Sequence, residues 1–225
     1  MCGRYTIVSN SESVKKEFSL EETSPIQPQY NAAPSYALPV ITDVYPQRLS
    51  FLRWGLIPNW AKDMKIGNKT INARSETILE KASFRKPIRK QRCLVLANCY
   101  FEWKKEADHS KVPHLIYCMN QRLFAMAGIW DNWVNQQSGE VISSFSIITV
   151  PAVPRLAELH ERMPAILTKA QREAYLNPTT PIEEIIALLV PYENEQMNAM
   201  PVSNLVNSPA NNTKEILQPI APSLY

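Results

Sequence analysis

Four runs of branched and aromatic residues between positions 92 and 150 constrain the fold most strongly. They are RCLVLANCYFEW (92–103), HLIYCM (114–119), RLFAMAGIW (122–130) and VISSFSIITV (141–150), and each is typical of a β-strand. Further strands are predicted over 37–44, 48–54 and 200–206. Strands and helices do not alternate regularly, which disfavours a doubly wound parallel sheet. The sequence therefore predicts an α+β fold with mainly antiparallel sheets.

Short helices are predicted towards the two ends of the chain. Capping boxes at Ser9–Glu12 and Thr168–Gln171 each open one of them. The predicted helices cover 10–18, 168–178 and 180–190, with a weaker pattern over 73–81. Because no internal repeat or linker is found, we expect a single domain over 1–225 with a polar tail from about 208.

Composition and motifs exclude several function classes. The chain has 18 prolines but only 5 glycines and contains neither GxGxxG nor GxxxxGK[ST], so a glycine-rich phosphate loop is excluded. The cysteines form no CxxC pair and the histidines are scattered, which argues against a structural zinc site. Since no apolar run approaches about 20 residues, we expect no membrane span, and we expect no metal or cofactor. Cys93, Cys99 and Cys118 are interpreted as buried thiols in a reducing cytosol.

The cysteine at position 2 differs from the others because of where it lies. Loss of Met1 is usual when the second residue is small, and it would give Cys2 a thiol and a free α-amine two carbons apart. Both groups have unperturbed pKa values of about 8, so both are partly deprotonated at cellular pH. An aldehyde condenses with such an amine to an imine, on which the thiol closes a thiazolidine ring. The alternative is a small residue tolerated at a frayed end.

Two polar motifs carry further candidate residues. In INARSET, Asn72 offers a donor and an acceptor and Arg74 can bind a phosphate with two hydrogen bonds. The structural alternative is a capping asparagine beside a surface arginine. In LHERMP, His160 titrates near neutral pH and suits proton transfer, although a lone histidine is more often structural.

The strand-like segment NCYFEWKKE places a carboxyl group among aromatic residues. With a period of two, Glu102 shares one face with Tyr100, whereas Cys99, Phe101 and Trp103 share the other. Glu102 then lies either on the solvent side of an amphipathic strand or in a cleft. In a cleft its pKa would rise and it would become a usable proton shuttle.

Basic and aromatic residues suggest a nucleic-acid surface. FRKPIRKQR (84–92) is a dense basic run, and the cations and flat rings considered for the surface are Arg4, Arg53, Arg74, Arg85, Lys86, Arg89, Lys90, Arg92, Trp54, Trp60 and Trp103. A cationic groove with aromatic platforms is the combination that holds single-stranded nucleic acid. A charge run is also commonly a solvated face, and the net charge of +3 implies no partner by itself.

The ordered motifs closely resemble those of the SOS-response-associated-peptidase (SRAP) family. They are MCGRYT, YNAAP (30–34), RWGLIPNW (53–60), INARSET, CYFEWKK, SIITVPA (146–152), LHERMP and PVSNLVN (201–207). The matches span residues 2 to about 207, nearly the whole chain. The resemblance implies the SRAP fold, in which antiparallel twisted sheets form a barrel-like core with several short peripheral helices.

The resemblance also implies a function and roles for individual residues. After loss of Met1, Cys2 would capture the ring-opened aldehyde of an abasic site in single-stranded DNA, giving a thiazolidine crosslink that shields the lesion. Asn72 would orient the sugar, Glu102 would move protons, and His160 would assist at the sugar and in crosslink reversal. The expected DNA contacts, with Arg85 taken from the basic run, are Arg4, Pro34, Trp60, Arg74, Arg85 and Arg162. The expected supporting residues are Asn31, Thr149 and Ser203.

Other functions stay open on the residues alone. One is an N-terminal-nucleophile cysteine hydrolase or autopeptidase that removes Met1, with Glu102 and His160 as helpers. Another is a non-covalent module for single-stranded DNA in which Cys2 is incidental. The family resemblance further implies a modest lyase-like activity through the imine. We expect a monomer in the cytoplasm that associates with the nucleoid when bound to damaged DNA.

Overall fold

The computed structural model describes residues 2–192 and 195–224. Its strands are β1 (Arg4–Ile7), β2 (Gln29–Ala32), β3 (Ala37–Thr42), β4 (Ser50–Trp54), β5 (Asn72–Arg74), β6 (Arg92–Ala97), β7 (Cys99–Lys105), β8 (Lys111–Cys118), β9 (Phe124–Val134), β10 (Val141–Pro151), β11 (Arg162–Pro164), β12 (Ile166–Leu167) and β13 (Met197–Pro201). Its α-helices are α1 (Ser11–Phe18), α2 (Pro87–Lys90), α3 (Pro154–Ala157), α4 (Lys169–Leu176) and α5 (Ile182–Ala187). Short 3-10 helices cover Met64–Lys69, Ser75–Thr77, Asn204–Asn207 and Lys214–Leu217. Met1, whose removal is predicted, lies outside the described residues.

Five strands close into a barrel in the order β10-β4-β3-β6-β9, and β9 pairs back onto β10. The neighbours in this ring are antiparallel except for β10 and β4, which are parallel. β5 and β11 add to β10, and β12 adds to β9. Closing the ring removes the free edges that an open sheet would expose. The prediction of an α+β fold with mainly antiparallel sheets around a barrel-like core is confirmed.

A second sheet holds the amino-terminal strand in its interior. Its order is β13-β8-β7-β1-β2, with all neighbours antiparallel. One face packs into the main core through Tyr5 and Tyr100, and the other carries Cys99, Phe101 and the half-buried Trp103. The predicted alternation of faces along β7 is therefore confirmed. Because β1 begins at Arg4 between two partners, the sheet positions Cys2 directly before it.

The chain beyond residue 208 covers the outer face of this second sheet. Ile216 is fully buried against Phe101 and Leu115. The Asn31 side-chain amide in β2 donates to the carbonyls of Val206, Ser208 and Asn211 at 3.1, 2.9 and 3.1 Å. The segment expected to be a polar tail is thus attached to the sheet by apolar packing and by hydrogen bonds.

A loop between β4 and β5 is closed at its base by two glycines in close contact. A Cβ built on Gly67 would lie 2.8 Å from the Gly55 carbonyl oxygen, and Gly55 itself has a φ of +113°. Both positions therefore require glycine. The Thr70 hydroxyl adds a hydrogen bond to the Leu56 carbonyl at 2.6 Å. This closure holds the loop that presents Trp60.

Several predicted elements differ in detail from the structure. The run 92–103, predicted as one strand, is two strands in different sheets, because Asn98 interrupts it and its Oδ1 accepts the Val8 N–H at 2.7 Å. Helix α1 is capped by Asn10, not Ser9. The weakly helical segment 73–81 contains part of β5 and one 3-10 turn, and the strand predicted over 200–206 lies earlier, in β13.

Candidate active site and DNA-contacting surface

Cys2 is fully buried, and both its carbonyl and its thiol have hydrogen-bond partners. The side-chain amide of Asn72 donates to the Cys2 carbonyl at 2.9 Å, and the Cys2 thiol lies 3.7 Å from the Arg4 carbonyl oxygen. Asn72 reaches this position because β5 runs parallel to β10, with Asn72 opposite Ile147. The alternative of a frayed end is excluded by this burial and anchoring.

Glu102 lies beside Cys2 as a consequence of the strand register. Arg4 pairs with Phe101 across β1 and β7, so Glu102 is one residue further towards the amino terminus of β1. Glu102 is only 2% exposed, and burial raises the pKa of its carboxyl to about 7. Burial also raises the pKa of the Cys2 thiol, and the charge of Glu102 raises it further. The thiol is therefore held neutral, beside a carboxyl that is half-ionised near neutral pH.

His160 lies on the segment between α3 and β11 and is partly buried. Burial lowers the pKa of its imidazole, so the ring is neutral at cellular pH. Its Nδ1 accepts the Arg162 backbone N–H at 3.0 Å, which leaves the ring proton on Nε2 in the assigned tautomer. The strand after this segment, β11, pairs with one edge of β10, and β5 pairs with the other, so that Thr149 of β10 lies between Pro164 and Arg74.

Two buried tyrosines at the site were missed by the sequence analysis. Tyr5 and Tyr100 are cross-strand partners on β1 and β7, and both are completely buried. Neither hydroxyl finds a hydrogen-bond partner among residues 2–192 and 195–224. Burial raises the pKa of both phenols well above the usual range, and Cys2 contributes to both shifts. The alternation that placed Tyr100 on the face of Glu102 was the signal that could have identified one of them.

Arg162, expected to contact DNA, is buried within the protein. Its guanidinium forms a bidentate ion pair with the Glu76 carboxylate, in which the distance from Nη2 to Oε2 is 2.9 Å. Nη2 also donates to the Thr149 carbonyl at 2.5 Å. The same contact lowers the pKa of the Glu76 carboxyl. The structure thus gives Arg162 and Thr149 a role in joining β10, β11 and the turn after β5.

The predicted surface residues divide into exposed and buried groups. Exposed or partly exposed are Arg4, Pro34, Arg53, Trp60, Arg74, Arg85, Lys86, Arg89 and Lys90. Trp60 is 55% exposed, which suits a stacking platform. Arg4 is partly buried, donates to the Gly3 carbonyl at 2.8 Å, and has its guanidinium pKa lowered by burial.

Three residues of the proposed cationic and aromatic surface have structural contacts within the protein; two of them are buried and Trp103 is half-buried. Arg92 is 1% exposed, and its guanidinium donates to the Tyr175 carbonyl at 2.6 Å and to carbonyls at the ends of α2 and α4. Trp54 is 1% exposed and lies against Tyr5, with ring centroids 5.1 Å apart. Trp103 donates from its indole to Asn207 at 2.7 Å. All three stabilise the fold.

The two remaining supporting residues have structural contacts. Asn31 is fully buried and holds the C-terminal segment, as described above. Ser203 caps the 3-10 helix Asn204–Asn207 by accepting the Leu205 N–H at 3.3 Å. Within the described part of the chain, no group of three or more His, Cys, Asp or Glu residues is arranged to hold a metal ion. No helix in that same part has the length and apolar character to cross a membrane.

Comparisons with known proteins agree with this architecture. A family model described as "SOS response associated peptidase (SRAP)" matches residues 1–209. The protein named abasic site processing protein YoqW from Bacillus subtilis is 42% identical over 223 residues, covering 97% of this chain and 99% of that one. The protein named abasic site processing protein HMCES from Pongo abelii is 33% identical, covering 86% of this chain and 65% of that one. A crystal structure of a Bacteroides thetaiotaomicron protein has a TM-score of 0.90 at 34% identity, covering 98% of this chain and all (100%) of that one.

Proposed function

The chain belongs to the SRAP family, and from this membership we propose that it processes abasic sites by joining them covalently to Cys2. The substrate is single-stranded DNA in which the abasic sugar has opened to its aldehyde. The observation that carries the proposal is the buried arrangement of Cys2, Asn72 and Glu102, in which the carbonyl of Cys2 is fixed at 2.9 Å from the Asn72 amide. An N-terminal residue fixed in this way can hold its amine and thiol in one orientation towards an incoming aldehyde.

The proposed reaction needs only the aminothiol and a proton carrier. The amine, freed by loss of Met1, adds to the aldehyde carbon to give a carbinolamine, which expels its hydroxyl as water to form an imine. The thiol sulfur then bonds to the imine carbon, the C=N electron pair moves to nitrogen, and nitrogen takes up a proton. The product is a five-membered thiazolidine that contains the former aldehyde carbon.

Glu102 is proposed as the group that moves these protons. With a pKa of about 7, its carboxyl is present in both forms at cellular pH. The acid form can protonate the leaving hydroxyl of the carbinolamine, and the carboxylate can then accept the thiol proton. This acceptance matters because burial keeps the Cys2 thiol in its neutral, less nucleophilic form.

His160 is proposed to assist at the deoxyribose and in reversal of the crosslink. Its lowered pKa supports this role, because a neutral imidazole can accept a proton from a sugar hydroxyl. If the imine persists long enough, removal of the proton on the carbon beside it would break the next C–O bond by β-elimination. The 3′ phosphate leaves and the DNA strand is cleaved, which is the lyase-like side reaction. The Cys2 thiol could also attack the Met1 carbonyl, which breaks the peptide C–N bond, moves the methionyl group to sulfur as a thioester and frees the amine. Water then hydrolyses the thioester, releasing methionine and regenerating the thiol, which completes an autopeptidase step.

The exposed cations and Trp60 are proposed to hold the DNA strand. Arg74 directly follows Asn72 and Ala73 in β5 and is exposed, so a phosphate can approach it next to the buried site. Binding through phosphates and base stacking is independent of base sequence and is expected to weaken as salt increases. The bound protein would be found with the nucleoid when damage is present.

The test is incubation of the processed protein with an abasic single-stranded oligonucleotide, read by denaturing gel and intact mass. A denaturation-resistant adduct is expected with wild type and none with Cys2→Ala. Cys2→Ser is the matched control. Its hydroxyl keeps the size of the side chain and its amine is retained, but it has no sulfur to close a thiazolidine, so it should give no stable adduct either. A normal adduct yield from Cys2→Ala would refute the mechanism. Salt-sensitive binding that ignores the abasic site would favour the non-covalent module, and turnover of an amide without DNA would favour the hydrolase.

A further inference from the structure

The exposed Trp60 lies in a tight turn of the loop between β4 and β5. The Ala61 N–H donates to the Pro58 carbonyl at 2.9 Å, so residues 58–61 form a β-turn with Asn59 and Trp60 at its two central positions. Asn59 and Trp60 are exposed, whereas Ala61 is buried. The turn therefore presents the Trp60 indole at the surface while the chain directly after it is packed into the protein.

Strand β9 holds the backbone on both sides of Trp60. The N–H of Asn59, directly before it, donates to Oδ2 of Asp131 at 2.9 Å. The carbonyl of Ala61, directly after it, accepts from the indole N–H of Trp133 at 2.6 Å. Asp131 and Trp133 are two residues apart in β9, so their side chains project from the same face of the strand. These two hydrogen bonds fix the turn at both ends.

The two side chains that hold the turn are themselves fixed by their surroundings. Oδ1 of Asp131 accepts the Asn132 N–H at 2.9 Å and lies 3.4 Å from Nε2 of Gln91. Trp133 packs with Ile57 and Ala61 in a small buried cluster of its own beneath the loop. Asp131 and Trp133 are only 4% and 5% exposed, so they can act on a bound nucleic acid only through the turn.

We propose that Asp131 and Trp133 are positioning residues that hold Trp60 ready to stack on a base of single-stranded DNA. The inference rests on the proposed function, in which Trp60 is the stacking platform. A loose loop would lose conformational freedom when a base stacks on it, and this loss would weaken binding. A turn that is fixed before binding avoids the loss, so more of the stacking free energy contributes to affinity.

A double-mutant cycle on DNA affinity tests the proposal. The probe is a labelled single-stranded oligonucleotide without an abasic site, followed by fluorescence anisotropy. Trp60→Ala should weaken binding by about tenfold. Trp133→Phe, which keeps an apolar ring but removes the indole N–H, should weaken it by about threefold or more. In the Trp60→Ala background, Trp133→Phe should have no further effect, because a positioning residue acts only through Trp60. Independent effects that multiply would overturn the proposal.

Trp130→Phe is the matched control, because it removes the same kind of hydrogen bond from the same strand. The Trp130 indole N–H donates to Asp43 at 2.9 Å, and Asp43 is not part of the loop. This variant should bind DNA as wild type does, and weaker binding by about threefold would show that any lost indole bond in β9 has the same effect and would overturn the proposal.

Asp131→Ala tests the other end of the turn with an effect of opposite sign to that of its charge. Removing an acidic group should by charge alone strengthen binding to DNA phosphates. Loss of the acceptor for the Asn59 N–H should instead weaken binding by about threefold or more. Unchanged or stronger binding of this variant would contradict the proposal.

Wild-type protein alone keeps the proposal testable if the variants do not fold. Before DNA is added, the amide hydrogens of Asn59 and Ala61 should exchange with solvent at least about tenfold more slowly than those of an unstructured peptide. Exchange at the unstructured rate would show that the turn is not fixed in advance, and would overturn the proposal.

Adduct formation with an abasic oligonucleotide separates this proposal from the covalent chemistry. Trp133→Phe should need more DNA to reach half of the maximal rate but should keep that rate at saturating DNA, because the Cys2 site is intact. Absence of adduct in wild type with the expected cycle would refute the covalent chemistry and leave the positioning role. A normal adduct with effects that multiply would do the reverse.

Discussion

The buried carboxyl of Glu102 should reduce the stability of the protein at neutral and alkaline pH, and Glu102→Gln should relieve this cost. Burial raises the pKa of this carboxyl from its usual 4.5 to about 7. The folded protein therefore keeps a proton between these values that the unfolded chain has lost. Wild-type stability falls as pH rises through this window and stays lower above it. At about 1.4 kcal/mol for each pKa unit, the loss amounts to about 3 kcal/mol.

The measurement is urea unfolding of wild type and Glu102→Gln at about pH 4, 6 and 8. The free energy of unfolding of the variant minus that of wild type should increase by about 3 kcal/mol from the lowest to the highest pH. Glu140→Gln, at an exposed position of the β9–β10 hairpin, is the control and should show a nearly constant difference. A constant difference for Glu102→Gln, or a decrease with pH, would refute the assignment of a raised pKa. The variant should also lose crosslinking, so the group that costs stability is the one that serves the reaction.

Three further predictions concern other parts of the molecule. Arg162→Ala should lower the free energy of unfolding by about 1–3 kcal/mol, because it removes a buried guanidinium that donates to the Thr149 carbonyl and to the half-exposed Glu76 carboxylate. Arg74→Ala should change it by less than about 0.5 kcal/mol and weaken DNA binding at low salt; chemical denaturation and fluorescence anisotropy separate the two effects. Gly67→Ala should cost about 1–3 kcal/mol and shift tryptophan fluorescence, since the new Cβ would meet a backbone carbonyl; an unchanged melting temperature would contradict the described loop closure. Deletion of residues 210–225 uncovers the fully buried Ile216 and should cost at least about 2 kcal/mol, measured by thermal unfolding; equal stability of the two forms would show that the segment does not pack as described.

The strands that could be predicted from the sequence are those in which the apolar residues of the strand itself indicate that it is buried. β3, β4, β9 and β10 are of this kind. β1, β2 and β5 are short and contain polar residues, and they are strands because distant partners complete their hydrogen bonds. The break at Asn98 was not predicted, since its side chain is satisfied by Val8, which is 90 residues away in sequence. Closure of the barrel depends on the same kind of long-range register.

The candidate reactive residues of the site could be proposed from the sequence, but the environment of the arginines could not. Cys2, Asn72 and Glu102 carry functional groups that suit the proposed reaction with an aldehyde, whether the side chains are exposed or buried. Arg92 and Arg162 have the same charge as Arg74, and only the folded chain shows that carbonyls and Glu76 occupy the first two. The loss of Met1, the monomeric state and the contact of each exposed cation with DNA stay predictions.

The position of β1 between β7 and β2 has a mechanical consequence for the proposed adduct. A nucleic-acid strand joined at Cys2 would pull along the axis of β1, so tension would be distributed over the hydrogen bonds of two ladders at the same time. Such shear loading resists extraction better than peeling a strand from an edge.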